Sequence, residues 1–240
     1  MDILHIIDWA AVLKIVGIDI MLGVDNAIVI ALACAALPEN VRGRAMLLGT
    51  AAAVLLRAVL LWGADYMMGI PYLKLVAGLY LLYIGYKLLM DGDGEHDISP
   101  ADQMMAAIKT IVVADFMMSL DNVLAVASAA HGTGEHATAY AIAGIVLSIP
   151  VIVFGAKYLM GFMERFPIIM WMGAGLLGWV GAEMVISDPF LAEYLHRVHD
   201  VMGEYTHLSF KIAGFVAVIF SVIAGQHLIK HKAAKAAANA

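Results

Sequence analysis

Four aspartates and two asparagines stand within the apolar stretches of this sequence, in two copies of one short motif. Residues 19–26 read DIMLGVDN and residues 115–122 read DFMMSLDN. Carboxylate and amide oxygens suit hard divalent cations such as Mg²⁺, Ca²⁺ and Mn²⁺. Neither motif contains Cys or His, which argues against zinc and copper. The candidate metal ligands are Asp19, Asp25, Asn26, Asp115, Asp121 and Asn122.

The composition places these motifs in a membrane. Of the 240 residues, 63% are hydrophobic and 14% are charged, whereas a soluble domain has about 45–50% apolar and about 25% charged residues. The mean hydropathy of +0.88 agrees. A net charge of −6 gives no attraction to phosphate, so nucleic acid is not an expected partner. The expected surroundings are a lipid bilayer.

Seven apolar segments are long enough to cross the bilayer, since a membrane helix needs about 20 residues. None of them shows the alternation of a membrane strand, so a barrel is not expected. The predicted spans are 10–36, 44–65, 71–90, 104–130, 138–158, 167–186 and 209–229.

The chain also repeats itself. The second motif follows the first by 96 positions, and Pro71 and Gly85 recur as Pro167 and Gly181 at the same offset. Because each repeat holds an odd number of spans, the second copy inserts upside down, as in secondary transporters. We therefore predict an all-α membrane protein of seven transmembrane helices, built as two inverted three-helix repeats plus a seventh helix.

The predicted spans and repeats divide the chain into five segments. They are a first three-helix repeat at 1–90, a cytoplasmic acidic loop at 91–103, a second and inverted repeat at 104–186, an extracytoplasmic loop at 187–208, and a seventh helix with a basic cytoplasmic tail at 209–240. Nine Lys and Arg residues lie on one side of the predicted spans and four on the other. The positive-inside rule then predicts a cytoplasmic C-terminus and an N-terminus outside.

The aspartates are costly to place in a membrane. Each costs about 2.5–3.5 kcal/mol at a helix centre, so four cost about 10–14 kcal/mol unless they are compensated, and a functional role is the default explanation. We expect Asp25 and Asp121 to meet at mid-membrane, with Asp19 on the outer side and Asp115 on the cytoplasmic side. Twice the axial separation gives an acid track about 18 Å long. Gly23 and its counterpart Ser119 precede the two Asp-Asn pairs and would allow the helices to unwind locally there.

Three further side chains could act with the acids. Arg57 lies inside the second span at roughly the depth of Asp19. We expect the two to pair, either as a gate or, preferably, as a structural ion pair, because charges inside membranes usually pair. Met21 and Met117 occupy matching positions in the two motifs. A thioether ligand would favour Mn²⁺ over Ca²⁺ and Mg²⁺, although simple packing explains methionine as well.

The segments GIDIMLGVDNAIVIAL (17–32) and ADFMMSLDNVLAVASAA (114–130) resemble the two signature segments of the TerC family of integral membrane proteins, in particular its short YjbE-type members. The resemblance covers essentially the whole chain. It implies membership of the lysine-exporter-like transporter superfamily and Mn²⁺ efflux, with roles in manganese detoxification and in supplying metal to secreted enzymes. It also implies that the acidic and Asn positions of both motifs are metal ligands.

We therefore expect a secondary transporter, not an enzyme, that exports Mn²⁺ from the cytoplasm through paired Asp-Asn motifs. Mn²⁺ is its substrate, and no organic cofactor is expected. No nucleotide-binding motif is present, so an ion gradient, in the simplest case of protons, must drive transport. The alternatives are an exporter of Ca²⁺ or Mg²⁺, a membrane partner of the secretion machinery, and an intramembrane aspartyl hydrolase. The duplicated acids argue against the hydrolase. A second copy of the chain, in a homo-oligomer, is a further candidate partner.

Overall fold

The structure is a computed structural model that describes residues 9–68, 70–90, 99–130 and 137–238. In these residues the chain forms nine α-helices, one 3₁₀ helix and no strand, which confirms the predicted all-helical class. The α-helices are α1 (Trp9–Leu22), α2 (Val24–Ala35), α3 (Glu39–Met68), α4 (Leu73–Met90), α5 (Pro100–Ala130), α6 (Ala137–Arg165), α7 (Ile168–Ile186), α8 (Ala192–Met202) and α9 (Tyr205–Ala238). Residues 91–98 of the predicted acidic loop lie outside the described residues.

Six described helices are long and apolar enough to cross a membrane: α3, α4, α5, α6, α7 and α9. The segments Val12–Leu22 and Val24–Ala35 form a further candidate as a pair that is bent by 49°. The described residues thus give six spans, or seven if the bent pair counts as one, in agreement with the predicted number. The hydropathy pattern alone had read 10–36 as one uninterrupted span.

The break between α1 and α2 falls at Gly23, which has φ −97° and ψ 2°. Its N–H donates to the carbonyl oxygen of Ile20 at 3.1 Å, three residues back instead of the four of an α-helix. A Cβ atom at this position would lie 2.8 Å from the carbonyl oxygen of Asp19, so only glycine fits. At the matching position of the second repeat stands Ser119, and there α5 runs on without a break.

The chain divides into two compact units, each assembled from two stretches of sequence. Unit 1 comprises Met1–Ile70 and Ser99–Phe162, and unit 2 comprises Pro71–Ile98 and Met163–Ala240. Of the described helices, unit 1 holds α1, α2, α3, α5 and most of α6, and unit 2 holds α4, α7, α8 and α9. Each unit therefore combines corresponding spans of both sequence repeats.

Within unit 1, α5 is the central helix of the site. The contact between α5 and α3 is the most extensive one between any two described helices. Helix α5 also contacts α1 and α2. The contact with α3 is close, because a Cβ atom added to Gly49 would lie 2.8 Å from the side chain of Ile111. The helix that carries the second motif is thus packed against both helices of the first.

Within unit 2, α7 packs against α4 and α9. Glycines permit the close approach of α7 and α9. A Cβ atom on Gly178 would lie 2.4 Å from the carbonyl oxygen of Gly214, and one on Gly214 would lie 2.3 Å from that of Gly178. These contacts are backbone to backbone, so a side chain could be accommodated only if the helices moved apart.

The segment after α7 holds the start of α4 in place through Asp188, which is buried. Its carboxylate accepts hydrogen bonds from the backbone N–H groups of Tyr72 at 3.2 Å, Leu75 at 3.0 Å and Phe190 at 2.8 Å. Burial raises the pKa of Asp188, but these N–H donors lower it by more, so the pKa lies below its usual range. Asp188 thereby satisfies free N–H groups at the first turn of α4.

Candidate functional site

Arg57 of α3 is the centre of a buried polar network in unit 1. Its side chain is 2% exposed, and that of Asp19 on α1 is fully buried. Nη1 of Arg57 donates to Oδ1 of Asp19 at 2.9 Å, and Nη2 of Arg57 donates to Oδ1 of Asp115 on α5. The guanidinium of arginine is a planar fork whose separate N–H groups can bind two carboxylates at once, whereas the ammonium of lysine is a compact point charge. One arginine therefore joins the first acids of both motifs.

Two serines occupy further hydrogen-bonding positions of these acids. The Nε of Arg57 donates to Oγ of Ser119 at 3.0 Å, and that hydroxyl donates to Oδ2 of Asp115 at 3.1 Å. Ser148 on α6 is bonded through its Oγ to Oδ2 of Asp19. Both oxygens of each carboxylate thus have a partner, as buried ionised groups require.

The expected acid track through the bilayer is wrong in one respect. Asp19 and Asp115 were expected at opposite ends of a path about 18 Å long, but in the structure both lie against the guanidinium of Arg57. The reason is that α1 and α3 both pack against α5, which brings the two acids to the same arginine side chain. The expected contact between Arg57 and Asp19 is present, and Asp115 is a second partner that the sequence analysis did not assign.

Asp25 and Asn26 follow directly after the helix break, in the first turn of α2. Oδ1 of Asp25 accepts a hydrogen bond from the backbone N–H of Asn26 at 2.8 Å, and the Asp25 side chain is partly buried. A carboxylate in the first turn of a helix is stabilised by the positive end of the helix dipole. The break therefore creates a helix N-terminus inside the apolar span, next to the ion pair of Asp19 and Arg57.

A small cavity lies beside this network. The space that the centre of a water molecule can reach is about 10 Å³, which is room for about one water molecule or an ion of similar size. Its polar lining residues are Asn26, Thr50, Arg57 and Asp115. The other lining residues are Val29, Ile30, Ala53, Val54, Ile111 and Ile152.

The second motif contacts the break in the first. Nδ2 of Asn122 lies 3.4 Å from the carbonyl oxygen of Leu22, the last residue of α1. The side chain of Asp121 lies outside the described residues, so the expected meeting of Asp25 and Asp121 stays a prediction.

The methionines of the two motifs differ in position. Met21 is 70% exposed on the surface of unit 1, away from the cavity, and Met117 is half-buried. Among the described residues, no three His, Cys, Asp or Glu side chains are close enough to hold one metal ion together. Asp19 and Asp115, the first acids of the two motifs, instead both contact Arg57.

The sequence did not predict that three hydroxyl side chains belong to this site: Ser119, Ser148 and Thr50. Each is a lone hydroxyl residue in an apolar span, and such residues occur in many membrane helices as packing or back-bonding groups. A useful signal was present for Ser119, which stands four residues after Asp115 and therefore on the same helix face. No comparable signal pointed to Ser148 or Thr50.

Comparison with known proteins defines the class of this chain. The family model described as the integral membrane protein TerC family matches residues 4–233. The chain therefore belongs to the TerC family, as the two motifs indicated, and it is a multi-pass integral membrane protein. No solved structure matches it significantly.

Several bacterial membrane proteins align with most of its length. The membrane protein YjbE of Bacillus subtilis is 42% identical over 185 residues, which are 77% of this chain and 83% of the relative. The inner membrane protein YgdQ of Escherichia coli K12 is 26% identical over 198 residues, or 75% of this chain and 81% of the relative. The B. subtilis membrane protein YkoY is 22% identical over 203 residues, or 78% and 63%.

Proposed function

We propose that this protein is a secondary transporter that exports Mn²⁺ from the cytoplasm through the acids of the two motifs. The observation that carries the proposal is the network around Arg57, in which Asp115 and Asp19 are both buried and Asp19 lies on the span that breaks at Gly23. Intramembrane acids that line a cavity mark ion pathways. A helix that is broken at the depth of such acids is a common feature of transporter binding sites.

The charges of the two motifs support a divalent cation as the substrate. The four motif aspartates and Arg57 together carry a formal charge of −3 when all five are ionised. A bound divalent cation leaves −1, which one proton on a carboxylate neutralises. When the cation leaves, two more protons restore neutrality. This balance supports the exchange of one metal ion for two protons, a cycle that moves no net charge across the membrane.

The choice of Mn²⁺ rests on the donor types and on the family resemblance. Carboxylate and amide oxygens suit Mn²⁺, Mg²⁺ and Ca²⁺ alike. Met21 is exposed, so it offers no thioether to the described cavity in this conformation. Competition between these cations therefore decides the substrate, and export of Ca²⁺ or Mg²⁺ is the alternative outcome.

The transport cycle that we propose is alternating access between two inverted halves. The sequence repeat supports it, because three spans per repeat require opposite insertion of the second copy. The two compact units also support it, since each contains corresponding spans from both repeats. We place the C-terminus in the cytoplasm and the N-terminus outside, from the distribution of Lys and Arg.

The proposal is tested by Mn²⁺ flux into proteoliposomes, with Ca²⁺, Mg²⁺ and Zn²⁺ as competitors and the membrane potential clamped. We expect saturable flux that follows an imposed pH gradient and is lost in Asp25→Asn and in Asp121→Asn. Flux that ignores the pH gradient would overturn the coupling. The absence of any flux in folded protein would favour a role as a membrane partner of the secretion machinery, with loops that matter as much as the acids.

A further inference from the structure

The cavity beside Arg57 contains two buried polar side chains whose hydrogen-bonding capacity is unused. Asn26 is 4% exposed and Thr50 is 2% exposed. Within the described part of the chain, neither the amide group of Asn26 nor the hydroxyl of Thr50 has a hydrogen-bond partner. Both side chains line the same cavity. Nearly all buried polar groups in proteins are paired, so two unpaired groups in one place require an explanation.

The unpaired hydroxyl of Thr50 is unusual for a threonine inside a helix. A threonine inside a helix usually satisfies its hydroxyl by donating to the carbonyl oxygen one turn back. Thr110 on α5 does this, with its Oγ1 3.0 Å from the carbonyl oxygen of Ala106. The hydroxyl of Thr50 on α3 makes no such bond. It is therefore available to a group inside the cavity.

The donors around the cavity define what it could bind. Asn26 and Thr50 supply neutral oxygens, and Asp115 supplies a carboxylate. Oxygen donors of this kind are those of hard divalent cations. The volume admits about one ion without its full hydration shell. Arg57 lies at the same cavity and shares Asp115, so a bound cation would compete with the guanidinium for that carboxylate.

We infer that Thr50 is a cargo-binding residue, whose hydroxyl oxygen, together with the amide oxygen of Asn26, binds a partly dehydrated divalent cation in the cavity beside Asp115. This inference rests on the proposed transport of such a cation. It adds to the two motifs a ligand from α3, a helix that carries neither of them. Entry of the cation weakens the pair between Arg57 and Asp115, which couples binding to a change in the packing of α3 on α5.

The experiment compares Thr50→Val, which keeps the shape and removes the hydroxyl, with Thr50→Ser, which retains it. Equilibrium binding of Mn²⁺ to the purified protein and Mn²⁺ flux in proteoliposomes are both measured. We expect the dissociation constant and the half-saturating concentration to rise about tenfold in Thr50→Val, as for the loss of one contact to a charged group. Thr50→Ser should restore both, and the control Thr110→Val should leave both unchanged.

Equal Mn²⁺ affinity in Thr50→Val and the original protein would overturn the inference and indicate that the cavity holds only a structural water. Absence of Mn²⁺ binding to the original protein would overturn it as well. Absence of flux with intact, Thr50-dependent binding would instead overturn the proposed transport while leaving the site. If Thr50→Val does not fold, Thr50→Ala gives the same comparison, with folding checked by thermal unfolding and size-exclusion profile.

Discussion

The amide nitrogen of Asn122 lies 3.4 Å from the carbonyl oxygen of Leu22, so the second Asp-Asn motif contacts the helix break in the first. A carbonyl at the end of a helix lacks its partner within the helix, and in an apolar span no water replaces it at low cost. Asn122 supplies that donor from α5. The two motifs are thus joined by a side chain at the point where the first span bends.

We expect Asn122→Leu to impair transport more than it impairs folding. The bond is long, so its loss lowers the free energy of unfolding by about 1 kcal/mol or less. The bend at Gly23 then has no donor from α5, and the maximal Mn²⁺ flux should fall several-fold. Ser221→Ala in α9 is the matched control, because it also removes one side-chain bond to a backbone carbonyl, that of Val218. Equal flux in both variants would contradict this role of Asn122.

Arg57 should be essential for folding because it neutralises two buried acids. Removal of one partner of a buried ion pair costs about 3–5 kcal/mol, since it leaves charge unpaired. We expect Arg57→Gln to lower the free energy of unfolding by an amount of that order, which is measured as a lower unfolding temperature in detergent.

The combined variant Asp19→Asn, Arg57→Gln, Asp115→Asn should recover most of this stability, because no buried charge is left unpaired among these three residues. Arg165→Gln, at an exposed position, is the control and should be neutral. If the single and triple variants were equally unstable, the charge balance would not be the cause.

Asp188 should stabilise unit 2 in a pH-dependent way. Asp188→Asn weakens the acceptor for two backbone N–H groups at the start of α4 and for that of Phe190, and it should cost about 1–2 kcal/mol near neutral pH. The pKa of Asp188 in the folded protein is lowered from its usual value. Its stabilising effect is therefore fully present above the unfolded-state pKa of about 3.9 and is lost as the pH falls through the folded-state pKa.

The measurement for Asp188 is the difference in unfolding temperature between the original protein and Asp188→Asn across pH. We expect a constant difference from pH 7 down to about 5 and a narrowing below about 4. A difference that does not change over this range would mean that the carboxylate charge contributes nothing to this cap.

Close glycine packing in unit 2 should make Gly178→Ala destabilising. The new Cβ atom would lie 2.4 Å from the carbonyl oxygen of Gly214, and forced separation of packed helices costs about 1–3 kcal/mol. Gly155→Ala in α6 is the control, since nothing lies within 4 Å of its added Cβ. There the better helix propensity of alanine should leave the protein unchanged or slightly more stable. Thermal unfolding of both variants distinguishes the two effects.

The sequence predicts the membrane helices well but predicts the contacts between them only in part. Hydropathy predicts the membrane helices because the bilayer core imposes a minimum length on apolar segments. Gly23 marks a real break in the first helix, but the same expectation was wrong at its counterpart Ser119, where α5 is continuous. The sequence could not place Asp115 beside Asp19, because that depends on how α1 and α3 both pack against α5. It also could not reveal Thr50, whose significance lies in a missing partner, a property that only three-dimensional packing defines.

The most direct test of the account is Mn²⁺ flux in proteoliposomes that carry Asp115→Asn, compared with the original protein and with Glu193→Gln at an exposed position of α8. Asp115→Asn retains the ion pair of Arg57 with Asp19, which leaves no unpaired charge between these two residues. We therefore expect this variant to fold. We predict that pH-driven Mn²⁺ flux falls to the background of empty vesicles in Asp115→Asn and is unchanged in Glu193→Gln. Undiminished flux in folded Asp115→Asn would contradict the claim that this acid network carries the cation.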